Sequence, residues 1–272
     1  MATLSGRLVL IGAGKMGGAM LDGWLRQGIP GSQIAIIDPA PSQELLETTQ
    51  RHEIALNTDI GAITDADVVL IAVKPQVMDA VLPEIISLGK NRPVFLSVAA
   101  GRTIEGFEAA FGKDAAIVRA MPNTPAAVGR SITAICPNSK CTPQQVELAT
   151  GLLQAIGETV HIEDESLMDA VTAVSGSGPA YVFHLIECMA AAGEKEGLPR
   201  ETAMQLARAT VAGAGELVHQ SELPAATLRE NVTSPGGTTA AALEVLMAED
   251  AMPKILAEGI RAATKRGKEL AG

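Results

Sequence analysis

The sequence predicts a two-domain α/β protein, in which a domain built on a parallel sheet precedes an all-helical domain. Short β-branched apolar runs alternate with helical stretches up to residue 162, which is typical of a parallel sheet with crossover helices on both faces. From residue 163 onward the chain is rich in alanine and shows helical periodicity. A length of 272 residues suits two domains, so we predict the domains 1–162 and 163–272.

The apolar runs and the glycines that follow helical stretches define the expected elements. Strands are predicted at residues 8–11, 34–37, 68–73, 94–98, 117–120 and 132–135. Helices are predicted at residues 16–27 and 143–156, ended by Gly28 and Gly157, because glycine commonly follows a helix end. The alanines between residues 189 and 215 are expected to line a helix–helix seam within one subunit or between two, and the seam between two is favoured. The alternative is that alanine serves here only as the best helix former.

Composition disfavours several classes of partner. The chain has 31 acidic against 21 basic residues, a net charge of −10, and no basic stripe that would track nucleic-acid phosphates. Its aromatic residues are 4 Phe, 1 Trp and 1 Tyr, too few for base-stacking platforms. The apolar run at residues 68–73 is far shorter than the roughly 20 residues of a membrane helix. We therefore expect neither nucleic acid nor a membrane as a partner.

Cysteine and histidine usage predicts a reduced protein without a metal site. Cys136, Cys141 and Cys188 form no CxxC pair, and their odd number cannot complete a disulfide framework, so a cytoplasmic location is expected. The four histidines lack the spacing that would place two of them on one helical face around a metal ion.

A glycine-rich loop follows the first predicted strand and opens the first predicted helix. Gly12 permits the tight turn, Gly14 lets a pyrophosphate approach the backbone, and Gly17 lets the helix pack on the sheet. Lys15 and Met16 begin the helix, whose positive end would hold the phosphates. This setting predicts a Rossmann dinucleotide-binding domain, and the alternative is a structural glycine turn.

Asp38 ends the second predicted strand, about 20 residues beyond the glycine loop, where a carboxylate can bind the ribose of a dinucleotide. A carboxylate accepts hydrogen bonds from a free 2′-hydroxyl and repels a 2′-phosphate. The next cation in the chain is Arg51, so Asp38 favours NADH slightly while NADPH stays open. The alternative is that Asp38 only caps the turn into Pro39.

The residues that end the predicted strand at 68–73 are expected at the cofactor, since ligands of open α/β sheets bind at the carboxyl ends of strands. Pro75 holds Lys74 extended, which fixes one cation at the sheet edge. We therefore assign Ala72, Val73, Lys74 and Pro75 to cofactor binding, and Lys74 is also a catalytic candidate.

The loop at residues 121–125 follows another predicted strand. Two prolines stiffen it, and it carries an amide and a hydroxyl that suit the carboxamide and ring of a nicotinamide. Met121 and Asn123 are the cofactor-binding candidates here. An ordinary surface turn is the alternative, because proline and asparagine are common turn formers.

A second glycine loop lies in the helical half and runs into a predicted helix at residues 240–247. Backbone amides at a helix N-terminus attract an anion, and hydroxyls beside them bond a nearby polar atom. A plain N-cap would need one Ser or Thr, whereas this loop offers several. It predicts a carboxylate pocket whose substrate-binding candidates are Ser234, Gly236, Gly237, Thr238 and Thr239.

A further serine–glycine stretch precedes Pro179. Ser177 is expected to cap a helix that has Pro179 in its first turn, and Ser177 and Gly178 are also substrate-binding candidates.

These motifs together resemble those of the pyrroline-5-carboxylate reductases, over essentially the whole chain. The resemblance rests on residues 12–17, 72–75, 121–125, 169–181 and 232–239, and the last two stretches are highly specific to that family. It implies a Rossmann domain followed by a helical dimerisation domain that interlocks two subunits, with dimers often assembling into decamers.

The resemblance also implies an activity, the NADH- or NADPH-dependent reduction of L-1-pyrroline-5-carboxylate to L-proline, the last step of proline biosynthesis. Thr239 resembles the family's threonine that bonds the ring nitrogen, and Gly237 and Thr238 fall in its carboxylate loop. Where relatives often carry an Asn near the adenosine ribose, this chain has Asp59, with Asn57 two residues earlier as the cofactor-binding candidate.

The expected mechanism is hydride transfer to a bound protonated imine, with Thr239 orienting the ring nitrogen and proximity supplying most of the effect. Two alternatives stay open. A β-hydroxyacid dehydrogenase would need a catalytic lysine in the helical half, where Lys195 lies in a stretch typical of a solvated helix end. A non-catalytic dinucleotide sensor would need no carboxylate pocket.

Overall fold

The computed structural model describes residues 4–271, which form two compact units. The first unit contains the residues up to Gly176 together with those from Thr264 onward, and the second contains Ser177–Ala263. Over the described range the last strand ends at His161, and helices follow it. The domain boundary expected after residue 162 coincides with the end of the sheet but not with the limit of the compact unit, so it remains a prediction.

The first unit contains an eight-stranded sheet in the order β3-β2-β1-β4-β5-β6-β7-β8. The strands are β1 Arg7–Ile11, β2 Ile34–Ile37, β3 Ala55–Leu56, β4 Ala66–Ile71, β5 Val94–Ser97, β6 Ala116–Met121, β7 Ser131–Pro137 and β8 Gly157–His161. Neighbouring strands are parallel except β6 and β7, which are antiparallel. Residues 122–130 are too few for a crossover, which needs about a dozen residues or more, so β7 corrects the prediction of a parallel sheet.

Helices connect the strands and form the second unit. They are α1 Lys15–Arg26, α2 Gln43–Arg51, α3 Met78–Ile85, α4 Ile104–Phe111, α5 Pro143–Leu153, α6 Met168–Val171, α7 Gly178–Lys195, α8 Arg200–Gln220, α9 Ala225–Asn231, α10 Thr238–Leu246 and α11 Met252–Ala271. The prediction for residues 16–27 is confirmed by α1. The α-helix predicted over residues 143–156 ends at Leu153, and a 3-10 turn continues it over Gln154–Ile156. Gly157 directly follows this turn, as predicted, and also begins β8.

Large side chains fill both faces of the sheet. Leu8 and Leu10 face the cluster that contains Trp24, and the alternate residue Val9 faces the cluster that contains Phe107. The indole N–H of the wholly buried Trp24 donates to the carbonyl oxygen of Leu152 at 2.9 Å, so its polar atom is satisfied. A strand with apolar residues on both faces is the expected result of helices covering both sides.

The second unit has an interior of small side chains. Helices α7 and α8 pack through Ala190, Ala203 and Ala207, which are nearly inaccessible to solvent. A Cβ atom at Gly193 would lie 3.4 Å from the Cβ of Ala203, so the two helices approach closely at this glycine. An alanine-lined seam therefore exists within one subunit. The seam between two subunits, which the sequence favoured, stays a prediction.

Large apolar side chains of the second unit lie on its surface instead. Phe183 is 61% exposed, Val245 is 69% exposed and Ile255 is 67% exposed. An apolar surface of this kind is unusual for a monomer and marks an interaction face. Within residues 4–271, no helix is both long enough and apolar enough to cross a bilayer.

Candidate active site

The first glycine loop lies at the carboxyl end of β1, where the strand order reverses between β2 and β4. Gly12 has a φ of +86°, and a Cβ atom there would lie 2.8 Å from Cγ1 of Val73. A Cβ atom at Gly17 would collide with the carbonyl oxygen of Gly12. Close packing therefore requires glycine at both positions, and the loop sits at the usual ligand site of open α/β sheets.

Gly14 has the opposite surroundings. No atom lies within 4 Å of the place where its Cβ would be, and it precedes α1 without a capping side chain. Gly14 and Lys15 line a groove of about 360 Å³ together with Ser42, the N-cap residue of α2, and Thr48 within α2. An open concave surface at a helix N-terminus fits the pyrophosphate of a dinucleotide.

At the start of α1, Lys15 faces solvent and Met16 faces the core. Lys15 is exposed, and no carboxylate within the described range pairs with it. Met16 is partly buried and packs against the cluster of Trp24. The ammonium of Lys15 is thus available to a phosphate, while Met16 fixes the helix.

Asp38 anchors the glycine loop. Its Oδ2 accepts a hydrogen bond from the backbone N–H of Ala13 at 2.8 Å, and its Oδ1 accepts one from Ala40 at 2.9 Å. The bond from Ala40 is the cap of the turn into Pro39 that the sequence offered as the alternative role, and the ribose contact stays a prediction. The bond from Ala13 was missed because it depends on how β1 and β2 pair.

The Asn57 amide holds the backbone of Asp38. Its Oδ1 accepts from the Asp38 N–H, and its Nδ2 donates to the Asp38 carbonyl oxygen, both at 2.8 Å. Asn57 has a φ of +52°, a conformation that asparagine tolerates better than most residues. Asp59 accepts from the Gly61 N–H and so caps a short turn. Contact between Asn57 and a cofactor stays a prediction.

The segment after β4 presents its lysine to solvent. Ala72 continues the pairing with β1 by donating to the Ile11 carbonyl oxygen at 2.8 Å. Lys74 is exposed and extended, with φ −64° and ψ 144°, as the following Pro75 requires. Val73 packs against Gly12, so this segment adjoins the glycine loop.

The Asn123 side chain is held inside the first unit. Its Nδ2 donates to the Ser175 carbonyl oxygen, and its Oδ1 accepts from the Ile132 N–H, both at 3.2 Å. Its own backbone N–H donates to Oγ of Ser131 at 3.2 Å. Asn123 is 9% exposed, so its observed role is to fix the loop, and contact with a nicotinamide stays a prediction.

Ser175 belongs to a π-helix at Thr172–Gly176, directly before α7. The Met121 Cε atom would lie 2.5 Å from a Cβ atom at Gly176, so Met121 packs against this glycine. Ser177 takes the N-cap position of α7, as predicted, but its hydroxyl makes no capping bond. Gly178 begins the helix, with no atom near the place of its Cβ.

The second glycine loop forms a tight turn ahead of α10. The Gly237 N–H donates to the Ser234 carbonyl oxygen at 3.0 Å, and Gly236 has a φ of +68°. Helix α10 begins at Thr238, two residues before the predicted start, and no side chain caps it. Within the described residues, the hydroxyls of Ser234, Thr238 and Thr239 have no hydrogen-bond partner. Unpaired amides and hydroxyls here suit a carboxylate.

Neither a metal site nor a reactive buried thiol is apparent in the described part of the chain. No group of three or more His, Cys, Asp or Glu side chains there could hold a metal ion. Burial raises the pKa of the Cys136 and Cys141 thiols, which keeps them protonated and unreactive. The chemistry that each of the two glycine loops supports therefore depends on what that loop binds.

Comparison with known proteins identifies the family. Residues 165–270 match the family described as pyrroline-5-carboxylate reductase dimerisation, and residues 7–101 match the family described as NADP oxidoreductase coenzyme F420-dependent. The pyrroline-5-carboxylate reductase of Pseudomonas aeruginosa is 40% identical over 97% of this chain and 97% of its own length.

Solved structures agree. A pyrroline-5-carboxylate reductase from Coxiella burnetii has a TM-score of 0.91 and 32% identity, over 98% of this chain and 99% of that one. The Plasmodium falciparum pyrroline carboxylate reductase, with NADP bound, has a TM-score of 0.80 and 28% identity over 98% and 99%. With full-length likeness in both sequence and structure, the chain belongs to the pyrroline-5-carboxylate reductase family.

Proposed function

We propose that the chain reduces L-1-pyrroline-5-carboxylate to L-proline with NADH or NADPH, as the last step of proline biosynthesis. Family membership over nearly the whole length supports the reaction. The observation that carries the substrate assignment is the second glycine loop, whose hydroxyls have no partner among the described residues and whose backbone amides begin α10. A dinucleotide sensor would have no use for such an anion site.

The first unit holds the cofactor in this proposal. The candidate residues are Gly12, Gly14, Lys15, Met16, Gly17, Asp38, Asn57, Ala72, Val73, Lys74, Pro75, Met121 and Asn123. The open space at Gly14 and the ammonium of Lys15 suit the pyrophosphate, and the Asp38 carboxylate suits a ribose hydroxyl. The bound cofactor supplies the hydride that the imine carbon accepts. Asp38 favours NADH over NADPH.

The second glycine loop binds the substrate carboxylate. The backbone N–H groups of Thr238 and Thr239 lie in the first turn of α10, where the helix macrodipole adds an attraction for an anion. Ser234, Gly236 and Gly237 shape the turn, and Ser177 and Gly178 complete the set of substrate-binding candidates.

Thr239 orients the ring nitrogen in this proposal. A threonine hydroxyl is too weak an acid to protonate the product by itself at neutral pH, so the substrate binds as the protonated imine. The protein then contributes binding and orientation, which supply roughly 7–11 kcal/mol when reacting atoms are aligned. Lys74 is the second catalytic candidate because it is an exposed cation at the carboxyl end of β4.

We further propose that the chain forms a homodimer through its helical half, with dimers assembling into decamers. The match to a dimerisation family and the exposed apolar side chains of Phe183, Val245 and Ile255 support a homo-oligomer. The cysteines are free thiols, which supports a reducing compartment such as the cytoplasm.

The direct test follows the loss of NADH or NADPH absorbance on adding pyrroline-5-carboxylate. Turnover with this imine, and none with a β-hydroxyacid and NAD⁺, is expected. Oxidation of the hydroxyacid instead would favour the β-hydroxyacid dehydrogenase. Cofactor binding by calorimetry without turnover of either compound would favour the sensor.

A further inference from the structure

Arg102 joins the loops that follow β4 and β5, at the carboxyl edge of the sheet. One nitrogen of its guanidinium, Nη2, donates to the carbonyl oxygen of Pro75 at 3.3 Å. The other, Nη1, lies 2.9 Å from Oδ1 of Asp79. The two acceptors belong to the turn after Lys74 and to the first turn of α3. A planar fork with two donors can hold both at once, which a single ammonium cannot do equally well.

The turn that Arg102 holds is short and continues directly into α3. It is a single 3-10 turn over Pro75–Val77, closed by a bond from the Val77 N–H to the Lys74 carbonyl oxygen at 3.1 Å and by one from the Met78 N–H to the Pro75 carbonyl oxygen. Lys74 is exposed, and Val77 is 47% exposed. An exposed turn that only local backbone bonds hold opens more readily than one that a side chain from another loop also fixes.

Arg102 itself is mounted on a rigid part of the first unit. Two residues later, the Ile104 N–H donates to Oε1 of Glu165 at 2.8 Å. The same oxygen pairs with Nη1 of Arg119 at 2.8 Å, and the Arg119 side chain is only 6% exposed. Thr103 caps α4 by accepting from the Gly106 N–H. The ion pair of Glu165 with the buried Arg119 and the capped start of α4 fix the backbone from which Arg102 extends.

The charge on Asp79 is favoured by this contact. The hydrogen bond and the positive charge of Arg102 hold the pKa of the Asp79 carboxyl below its usual range. The carboxylate therefore stays ionised near neutral pH and keeps the guanidinium turned toward the Lys74–Pro75 turn.

We propose that Arg102 is a positioning residue that holds the Lys74–Pro75 turn in the conformation that binds the nicotinamide cofactor. The inference rests on the cofactor role proposed above for this turn. Arg102 acts through Lys74 and Pro75 without contacting the cofactor. When a variant lowers the fraction of molecules with a competent turn, the apparent Kd rises by the reciprocal of that fraction.

The chain offers a matched control pair. Lys140 Nζ lies 3.5 Å from Oδ1 of Asp114, and both side chains are exposed. Asp114 precedes β6 and Lys140 follows the antiparallel β7, so this pair lies at the amino end of β6, opposite the carboxyl edge that carries the Lys74–Pro75 turn. A general effect of removing a surface cation would appear at Lys140 as well as at Arg102.

The test titrates NADPH and NADH into the full-length protein by calorimetry, without substrate. Arg102→Met is expected to raise the Kd of both cofactors about three- to tenfold, as a fall of the competent fraction to roughly a third or a tenth would do. Lys140→Met should leave the Kd unchanged. In turnover assays, the cofactor KM should rise by the same factor while kcat stays within about twofold, because saturating cofactor orders the turn.

Further variants distinguish the loss of the Arg102 clamp, meaning its contacts with Pro75 and Asp79, from a general loss of folding. Asp79→Asn keeps the side-chain shape and should raise the Kd about two- to threefold, a smaller loss of competent molecules. The double variant should bind no more weakly than Arg102→Met alone, because both changes remove one clamp. Arg102→Lys should restore part of the affinity. If Arg102→Met fails to unfold cooperatively, Asp79→Asn decides the matter.

An unchanged Kd in a folded Arg102→Met, or in Asp79→Asn where Arg102→Met is not folded, would overturn the proposal. So would an equal loss in Lys140→Met, or a fall in kcat without a rise in Kd. The calorimetric titration of the cofactor contains no imine, so its result does not depend on whether the proposed reaction is correct. The wild type could fail to reduce pyrroline-5-carboxylate while Arg102→Met still binds cofactor more weakly than the wild type does. That pair of results would contradict the proposed reaction and support the positioning role of Arg102.

Discussion

The two compact units have opposite kinds of interior. The sheet unit buries large side chains such as Trp24 and Phe107 on both faces of its strands, whereas the helical unit buries alanines at its α7–α8 contact. The helical unit instead exposes Phe183 and Ile255. Because hydrophobic stabilisation grows with the apolar area removed from water, the sheet unit completes its own core and the helical unit requires a partner surface.

The glycine loops of the two units also differ, in the reason why each requires glycine. In the first loop, Gly12 and Gly17 are required because neighbouring atoms leave no room for a side chain. In the second loop, Gly236 has open space around it, and its φ of +68° is what favours glycine. One loop is fixed by packing within its unit and the other by its own backbone, so substitutions should affect them differently.

The largest effect is expected from a substitution in the exposed apolar surface of the helical unit. Phe183→Glu places a charge on the exposed face of α7, and burying that charge against a second subunit would cost several kcal/mol. We expect the oligomer to dissociate at micromolar concentration, measured by light scattering. Leu46→Glu is the control, since Leu46 is a 41%-exposed residue on α2 of the sheet unit. Retention of the oligomer in Phe183→Glu would place the interface elsewhere.

The next effect concerns the hydroxyls of the second loop. Thr239→Val keeps the side-chain shape and removes the group proposed to orient the ring nitrogen. A hydrogen bond to a charged group contributes about 1.5–3 kcal/mol, so kcat should fall roughly 10- to 100-fold while cofactor affinity is retained. Thr238→Val should chiefly raise the KM for the imine. Near-normal turnover by Thr239→Val would remove this role.

A paired glycine replacement sharpens the contrast within the first loop. Gly17→Ala forces a methyl group onto the Gly12 carbonyl oxygen and should lower the free energy of unfolding by about 1–3 kcal/mol. Gly14→Val meets open space, so its unfolding transition in denaturant should stay close to wild type while cofactor affinity falls sharply. Unchanged cofactor affinity in Gly14→Val would show that the pyrophosphate lies elsewhere.

The smallest effect separates the two roles of Asp38. Asp38→Asn removes the charge but keeps an oxygen that can accept from Ala13, whereas Asp38→Ser shortens the side chain and loses that anchor. Both should raise the ratio of kcat/KM with NADPH to that with NADH, by up to about tenfold, or 1.4 kcal/mol. Asp38→Ser should also weaken the binding of both cofactors, because the glycine loop loses its anchor. An equal ratio in wild type and Asp38→Asn would leave Asp38 as an anchor alone.

The sequence predicts the buried strands well because a strand covered on both faces reads as an apolar run. Strand β8 was missed for the opposite reason. It lies at the sheet edge with its residues largely accessible, and Gly157 starts it because a side chain there would collide with the backbone of Ser131. The antiparallel direction of β7 depends on the length of the connection from β6 and not on composition, so the apolar pattern does not predict it.

The two glycine loops were found from sequence because each is a local pattern whose chemistry lies in consecutive backbone groups. The contacts that position them were not. Asp38 reaches Ala13, and Arg102 reaches Pro75, only after strands far apart in the chain have paired. Motifs show where a ligand binds, whereas the side chains that hold the motif in shape follow from topology.

The alanine seam between α7 and α8 also affects how the protein responds to heat. Alanine has no side-chain rotamers to lose, so ordering this contact costs little conformational entropy, but it also gains little from burial. In the proposed homodimer, most of the cohesion of the helical half then comes from association, which depends on mass action. The melting temperature of the chain should therefore rise with protein concentration, and dilution alone should loosen α7 and α8 before the sheet.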